Sequence, residues 1–196
     1  MKPALILARA QHRLRPEGPL PVRLQANGGG AVLGGPWLVR AGVRVPRGHP
    51  LVAHGPVNAA RWFGSVHQRW LGGIGITDAC MYEGPPIDHW SCFAGRGPGE
   101  MLAGDRKITG IAQAWRKRDV FLVSATLISP VPWQQLCDAM GHSSQAPHLA
   151  ASAVSCEECL AAAVDPVELA GSLRKLLAAT LAGFGTPIFS TRRTPS

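Results

Sequence analysis

MLAGDRKITGIAQAWRKRDVFLVSATLI, residues 101–128, decides the fold of this chain. It divides into three strand-like runs: MLAG, RKITGIAQAW and VFLVSATLI. AGD (103–105) and KRD (117–119) separate them with the composition of tight turns. Three strands joined by two such short connections pair antiparallel, because a parallel pair needs a crossover of a dozen or more residues.

Upstream, ALILA (4–8) reads as a short buried strand, VRLQA (22–26) as an alternating one, and WLVRAGVRV (37–45) as a third that Pro46 ends. PEGP (16–19) is a turn. NGGGAVLGGP (27–36) is a glycine cluster around a short apolar triplet. Residues 57–71 carry Ala59, Trp62, Phe63, Val66 and Trp70 at helical spacing, and Gly72, Gly73 and Gly75 end that helix. GITDACMY (75–82) reads as a strand and GPPIDH (84–89) as a loop.

Downstream, PWQQLCDAM (132–140) reads as a short helix and the polar, Ala-rich 141–153 as a loop. From Pro166 to Phe184, Leu169, Leu173, Leu176, Leu177 and Leu181 form a helical stripe. Asp165 is its N-cap, and Pro166 takes the first helical position, where its missing N–H costs nothing. Strands, a helix, more strands and then helices predict an α+β domain: a mixed, mostly antiparallel sheet flanked by helices. Residues 1–185 suit one domain, and 186–196 read as a disordered tail.

Bulk composition narrows the function. The chain has 196 residues with 20 Lys and Arg against 12 Asp and Glu, a net charge of +8. Such a surface attracts acidic partners. The arginines are scattered and only AWRKR (114–118) joins an aromatic to basic residues, which argues against nucleic acid. No apolar run approaches the roughly 20 residues of a membrane span. The short N-terminal run lacks a small-residue cleavage site, so the reading is cytoplasmic, with the five cysteines reduced. Cys156 and Cys159 form a C-x-x-C pair without a second pair to complete a zinc site; they read as apolar thiols in a helix, and no metal is expected.

Two residues stand out chemically. On residue type alone Cys92 is a small buried hydrophobe. As a nucleophile it would need its pKa lowered by nearby positive charge, for which Arg96, Arg106 and Lys107 are the local candidates. Lys107 lies close to Gly110, and a glycine inside a strand often marks the close approach of a ligand or another backbone. An exposed hairpin lysine is the ordinary alternative. The glycine cluster is neither a Walker loop nor a dinucleotide fingerprint, since no Gly-Lys-Ser/Thr and no helix follow in the required register.

GDRKITGIAQ resembles the G-x-(K/R)-K-(I/V)-x-G-x-A-Q signature of the lipoate–protein ligase and octanoyltransferase family. The earlier glycine cluster is similar to that family's glycine motif. CFAGRGPGE (92–100) resembles the C-F-x-x-P-S-x-Y-E segment of its cysteine-dependent octanoyltransferase branch. Order and spacing agree over residues 4–128.

The resemblance implies the catalytic-domain fold of biotin and lipoyl protein ligases. It implies transfer of an octanoyl or lipoyl group to a lysine of a carrier domain. By this resemblance Cys92 is the nucleophile, attacking as thiolate, and Lys107 holds the acyl carbonyl; Gly28, Gly29, Gly30, Gly110 and Ala112 border the substrate. The transferase chemistry needs no cofactor and takes its acyl group from acyl carrier protein. The ligase chemistry uses ATP and Mg2+ with free lipoate or octanoate. Lipoyl-domain or H-protein-like acidic carriers are the implied acceptors.

Departures are visible too. Leu24 and Gln25 stand where relatives carry Arg-Arg, Gly34 stands for a frequent His, and the family's opening helix is missing ahead of the first strand. They weaken the ligase reading more than the transferase one, and leave a degenerate, non-catalytic carrier-binding relative as a further alternative.

Overall fold

A computed structural model describes residues 2–184, so the tail expected at 186–196 lies outside the described residues. Two sheets organise the chain. The smaller contains β1 (Ala4–Leu7), β2 (Val22–Leu24) and β3 (Val32–Gly34), with β1 central, parallel to β2 and antiparallel to β3. The larger contains β4 (Leu38–Pro46), β5 (Ala79–Met81), β6 (Met101–Ala103), β7 (Arg106–Trp115) and β8 (Asp119–Leu127). Its order is β4-β8-β7-β6-β5 and every pair is antiparallel. Both hairpins read from residues 101–128 are therefore present.

The long helices α1 (Gly55–Gly73) and α5 (Pro166–Ala182) cover one face of the larger sheet. Alternation in the strands explains why: Val43, Val45, Val120 and Leu122 point to that face and pack with Phe63, Val66 and Trp70 of α1 and Leu169, Leu173 and Leu177 of α5. Each fully buried side chain of this size contributes about 1.5–3 kcal/mol of transfer free energy. The Asp165 carboxylate accepts the Val167 N–H at 2.8 Å and caps α5 as the sequence predicts.

The smaller sheet lies at the other face. With α2 (Trp133–Ala139) and α3 (Ala146–Ser152) it encloses a second core of Leu5, Leu7, Leu33, Trp37, Phe93, Leu136 and Leu149. α4 (Cys156–Leu160) follows, a single capped turn with a reciprocal Ser155–Glu158 capping box, and it holds the C-x-x-C pair as two thiols of a helix.

Three expectations change. Residues 141–153 are not a loop: a 3-10 turn at Ser143–Gln145 leads into α3. Pro147 starts that helix and Leu149 is its buried anchor, while the polar His148 and Ser152 that suggested a loop form its wet face. The triplet inside the glycine cluster becomes β3. The strand expected at 75–82 shrinks to β5, because Gly75 turns the chain at φ +101°.

Candidate active site: a cysteine cleft on the second face of the sheet

Cys92 ends a short extended segment that the glycine cluster supports. The Ala31 N–H donates to the Trp90 carbonyl at 2.7 Å, and the Cys92 N–H donates to the Ala31 carbonyl at 3.0 Å. A Cβ on residue 30 would sit 2.6 Å from the Cys92 nitrogen and from the Trp90 carbonyl oxygen, so this approach requires glycine. Further hydrogen bonds fix Trp90: its indole donates to Gln145 at 2.7 Å, its ring stacks on His142, and its carbonyl accepts from Gln11. Gly28 and Gly29 are exposed and contact nothing where a side chain would be. Of the three clustered glycines, Gly30 alone is tied to the cysteine.

A β-bulge brings the lysine round. Leu102 pairs with Lys107 but Met101 pairs with Thr109, so Ile108 is an extra residue in β7. Strict alternation would put residues 107 and 110 on opposite faces. The bulge turns Ile108 and Thr109 together toward α1, and Lys107 and Gly110 share the other face. Both then meet Cys92. A Cβ on Gly110 would lie 2.9 Å from Cys92 Sγ, 3.5 Å from Lys107 Cε and 3.7 Å from a Glu100 oxygen. Gly110 is glycine because the sulfur occupies its side-chain space.

The lysine itself differs from expectation. It is neither an exposed hairpin residue nor a free cation at the mouth of a site. Lys107 is 1% exposed, and its ammonium donates to the carbonyls of Cys92 at 2.6 Å and Gly95 at 2.9 Å while pairing with Glu100 Oε2 at 2.7 Å. All three donors are thus engaged. Glu100 is equally committed: it accepts from the Gly97 N–H at 2.7 Å and from the Ile111 N–H at 3.1 Å. Burial pushes the Glu100 carboxyl upward, and Lys107 and those two amides pull it back. The pair works as a clamp that fixes the Cys92–Gly95 loop onto β7.

The thiol also departs from the sequence reading. Burial raises the Cys92 pKa and the Glu100 charge adds to that; Lys107 and the Gly30 N–H oppose it without prevailing. Burial thus favours the neutral thiol at this position. The other cations proposed to activate it are used elsewhere. Arg96 donates to the Asp105 carbonyl at 2.6 Å and lies over Tyr82, and Arg106 pairs with Glu158 at 3.4 Å.

Cys92 opens onto a cleft lined by Ile6, Val32, Ala112, Val123 and Ala125, with Gln25 and Arg40 as its polar side chains. The free volume is about 30 Å³. Of the residues singled out in the sequence, Cys92, Gly110 and Ala112 line this cleft; Lys107 and Gly30 lie behind it. Arg40 and the clamping role of Glu100 went unread. The alternation of β4 contains the signal for Arg40, since Arg40, Gly42 and Arg44 fall on the face opposite Val39, Val43 and Val45. Nothing local to Glu100 marks it as buried.

Below Ser124 the same sheet carries a second polar pair. His67 is fully buried in α1; its Nδ1 donates to the Phe63 carbonyl and its Nε2 accepts from Ser124 Oγ, both at 2.8 Å. Desolvation holds its pKa down at about 4, so the ring is neutral.

No protein-family model and no curated protein sequence matches the chain. Solved structures do. A lipoate-protein ligase A bound with ATP superposes with a TM-score of 0.68 at 17% identity, over 92% of this chain and 69% of that one. A bi-partite lipoate protein ligase from Thermoplasma acidophilum, solved in a study of the ligase and its E2 lipoyl domain, gives 0.62 at 14% identity, over 92% and 68%. Apo biotin protein ligase from Aquifex aeolicus gives 0.50 at 12% identity, over 76% and 54%. Two sheets, the helices that flank them and these superpositions agree: the chain has the catalytic-domain fold common to lipoate and biotin protein ligases.

Proposed function

We propose that this protein is an acyltransferase of the lipoate pathway, moving an octanoyl or lipoyl group to a lysine of a carrier-protein domain through a thioester on Cys92. One observation carries the reading: the Cys92 sulfur fills the space over Gly110 at the head of an apolar cleft. Ser124 is no competitor as nucleophile, because its hydroxyl is bonded to His67 on the opposite face.

In the first step Cys92 Sγ bonds to the acyl carbon of a donor thioester. The bond to the donor sulfur breaks, and the proton of the Cys92 thiol ends on that departing sulfur. One thioester replaces another, so the step is nearly balanced and needs no ATP. In the second step the acceptor lysine amine attacks the same carbon, the amide forms, and the proton lost by nitrogen returns the thiol. Lys107 and Glu100 position the thiol, and the Lys107 charge offsets part of the rise that burial imposes on its pKa. The apolar lining of the cleft, Ile6, Val32, Ala112, Val123 and Ala125, suits the first carbons of an acyl chain attached to Cys92.

Acyl carrier protein as donor and an acidic lipoyl domain or H-protein-like acceptor suit the net charge of +8, which speeds encounter with acidic partners and makes it salt-sensitive. The corresponding setting is the cytoplasm. Among the described residues no helix is long and apolar enough to cross a membrane.

The test is incubation with octanoyl-acyl carrier protein followed by mass spectrometry. A hydroxylamine-labile adduct on Cys92, absent from Cys92→Ser, is the expected result. Absence of the adduct from the wild-type protein overturns the reading. Exchange of pyrophosphate into ATP that depends on lipoate or octanoate would instead establish the ATP- and Mg2+-dependent ligase reaction. Neither signal, with retained binding of a lipoyl domain, would mark a non-catalytic relative.

A further inference from the structure

The clamp leaves the reaction without the cation assigned to it. An acyl carbonyl attacked by a thiol develops negative charge on its oxygen, and a positioned donor aimed at that oxygen is the largest single contribution to many acyl transfers. Lys107 is saturated. One other cation borders the cleft: Arg40, from β4.

Register places it well. Arg40 pairs with Ala125 in β8, and Ala125 pairs with Gly110 in β7, so the three form a row across the sheet. The Cys92 sulfur stands over the Gly110 end of that row, and the Arg40 side chain rises from the other end. Arg40 Nη2 donates to Gln25 Oε1 at 3.3 Å, and Gln25 is itself anchored to β1 by its N–H bond to the Leu7 carbonyl at 3.0 Å. Among the described residues no carboxylate pairs with Arg40, although Arg44, Arg106 and Lys107 each have one. Arg40 is exposed at the rim, and desolvation and the neighbouring Arg23 both lower its pKa. A guanidinium remains charged under such conditions, so Arg40 stands at the cleft rim as a cation without a carboxylate partner.

We infer that Arg40, steered by Gln25, donates to the acyl oxygen as Cys92 attacks, the role that the family resemblance implies for Lys107. The inference rests on the Cys92 thioester reading. It also gives Gln25 a function: a glutamine in that position presents a carbonyl that holds an arginine from the neighbouring sheet. No proton changes hands at Arg40. Its N–H groups bond more strongly as the oxygen becomes anionic and relax when the thioester carbonyl is restored.

The experiment compares two reactions at the same sulfur, using the intact chain. Octanoyl-pantetheine, a neutral thioester, acylates Cys92 through a tetrahedral intermediate. Iodoacetamide alkylates it by displacement at carbon and develops no charge on a carbonyl oxygen. Arg40→Gln is expected to slow acylation about 100-fold with little change in apparent donor affinity. Arg40→Lys is expected to recover part of that loss, and alkylation of Cys92 is expected to stay within about twofold of wild type in both. Acylation of Arg40→Gln at the wild-type rate overturns the inference and leaves the thioester reading standing. An equal fall in acylation and alkylation also overturns it, since Arg40 would then be acting on the thiol or the fold. No acylation of the wild-type protein overturns both.

Discussion

β7 and β8 present two faces built on opposite principles. Toward α1 and α5 the face is full: Val120, Leu122, Ile108 and Ile111 meet Phe63, Val66 and Trp70, and its polar pair, His67 and Ser124, is satisfied within itself. Toward Cys92 the strands show Gly110, Ala112 and Ala125 beside Val123. The first face is specified by what packs there, the second by what is left out. Most of the packing lies on the one and the candidate site on the other, and the Lys107–Glu100 pair is where they join.

The largest test breaks that junction. Lys107→Met leaves Glu100 buried without its partner and is expected to cost about 3–5 kcal/mol of unfolding free energy, measured by urea denaturation. Adding Glu100→Leu removes the stranded charge and should restore much of the loss. If the single variant is as stable as wild type, the clamp is not what holds the loop.

Next comes the full face. Folded His67 takes up a proton near pH 4, whereas the unfolded chain does so near 6.5. The unfolded state therefore binds the extra proton between these values, and stability falls as pH drops through that window, by about 3 kcal/mol at pH 4. Denaturation midpoints of His67→Gln should show a flatter acid limb. What slope remains includes His89, whose pKa burial also lowers.

A smaller change addresses the cleft face alone. Gly110→Ala puts a methyl 2.9 Å from Cys92 Sγ. The sulfur can rotate away, so the fold survives with about 1 kcal/mol of destabilisation, while acyl-enzyme formation drops at least tenfold. Unaltered acylation would show that the sulfur reacts from another rotamer. At the bottom of the scale, Arg106→Ala removes an exposed pair with Glu158 and should move stability by less than about 1 kcal/mol.

Legibility followed the same division. The full face was written in periodicity: the runs in 101–128, the stripe of α1 and the leucines of α5 carry their own phase, and the structure keeps them. The motif residues also fall in one neighbourhood, since Cys92, Lys107, Gly30 and Gly110 converge. Their roles were not legible, because they depend on one extra residue in β7. A bulge at Ile108 changes which side chains share a face but leaves no mark in composition. Glu100 shows the same limit: its partners come from the 95–97 loop and from β7, elements whose meeting is a tertiary fact. α3 was missed for a local reason, as its exposed half outweighed Leu149 in a short window.

The carboxylate of Glu100 accepts one amide from a loop, Gly97, and one from a strand, Ile111. Loop amides ordinarily trade their hydrogens with solvent far sooner than strand amides do. Here neither can be released while the acid stays in place, so in deuterated water the two should label together, at the tempo of the strand. The Cys92 loop would then have the exchange signature of the scaffold beneath it.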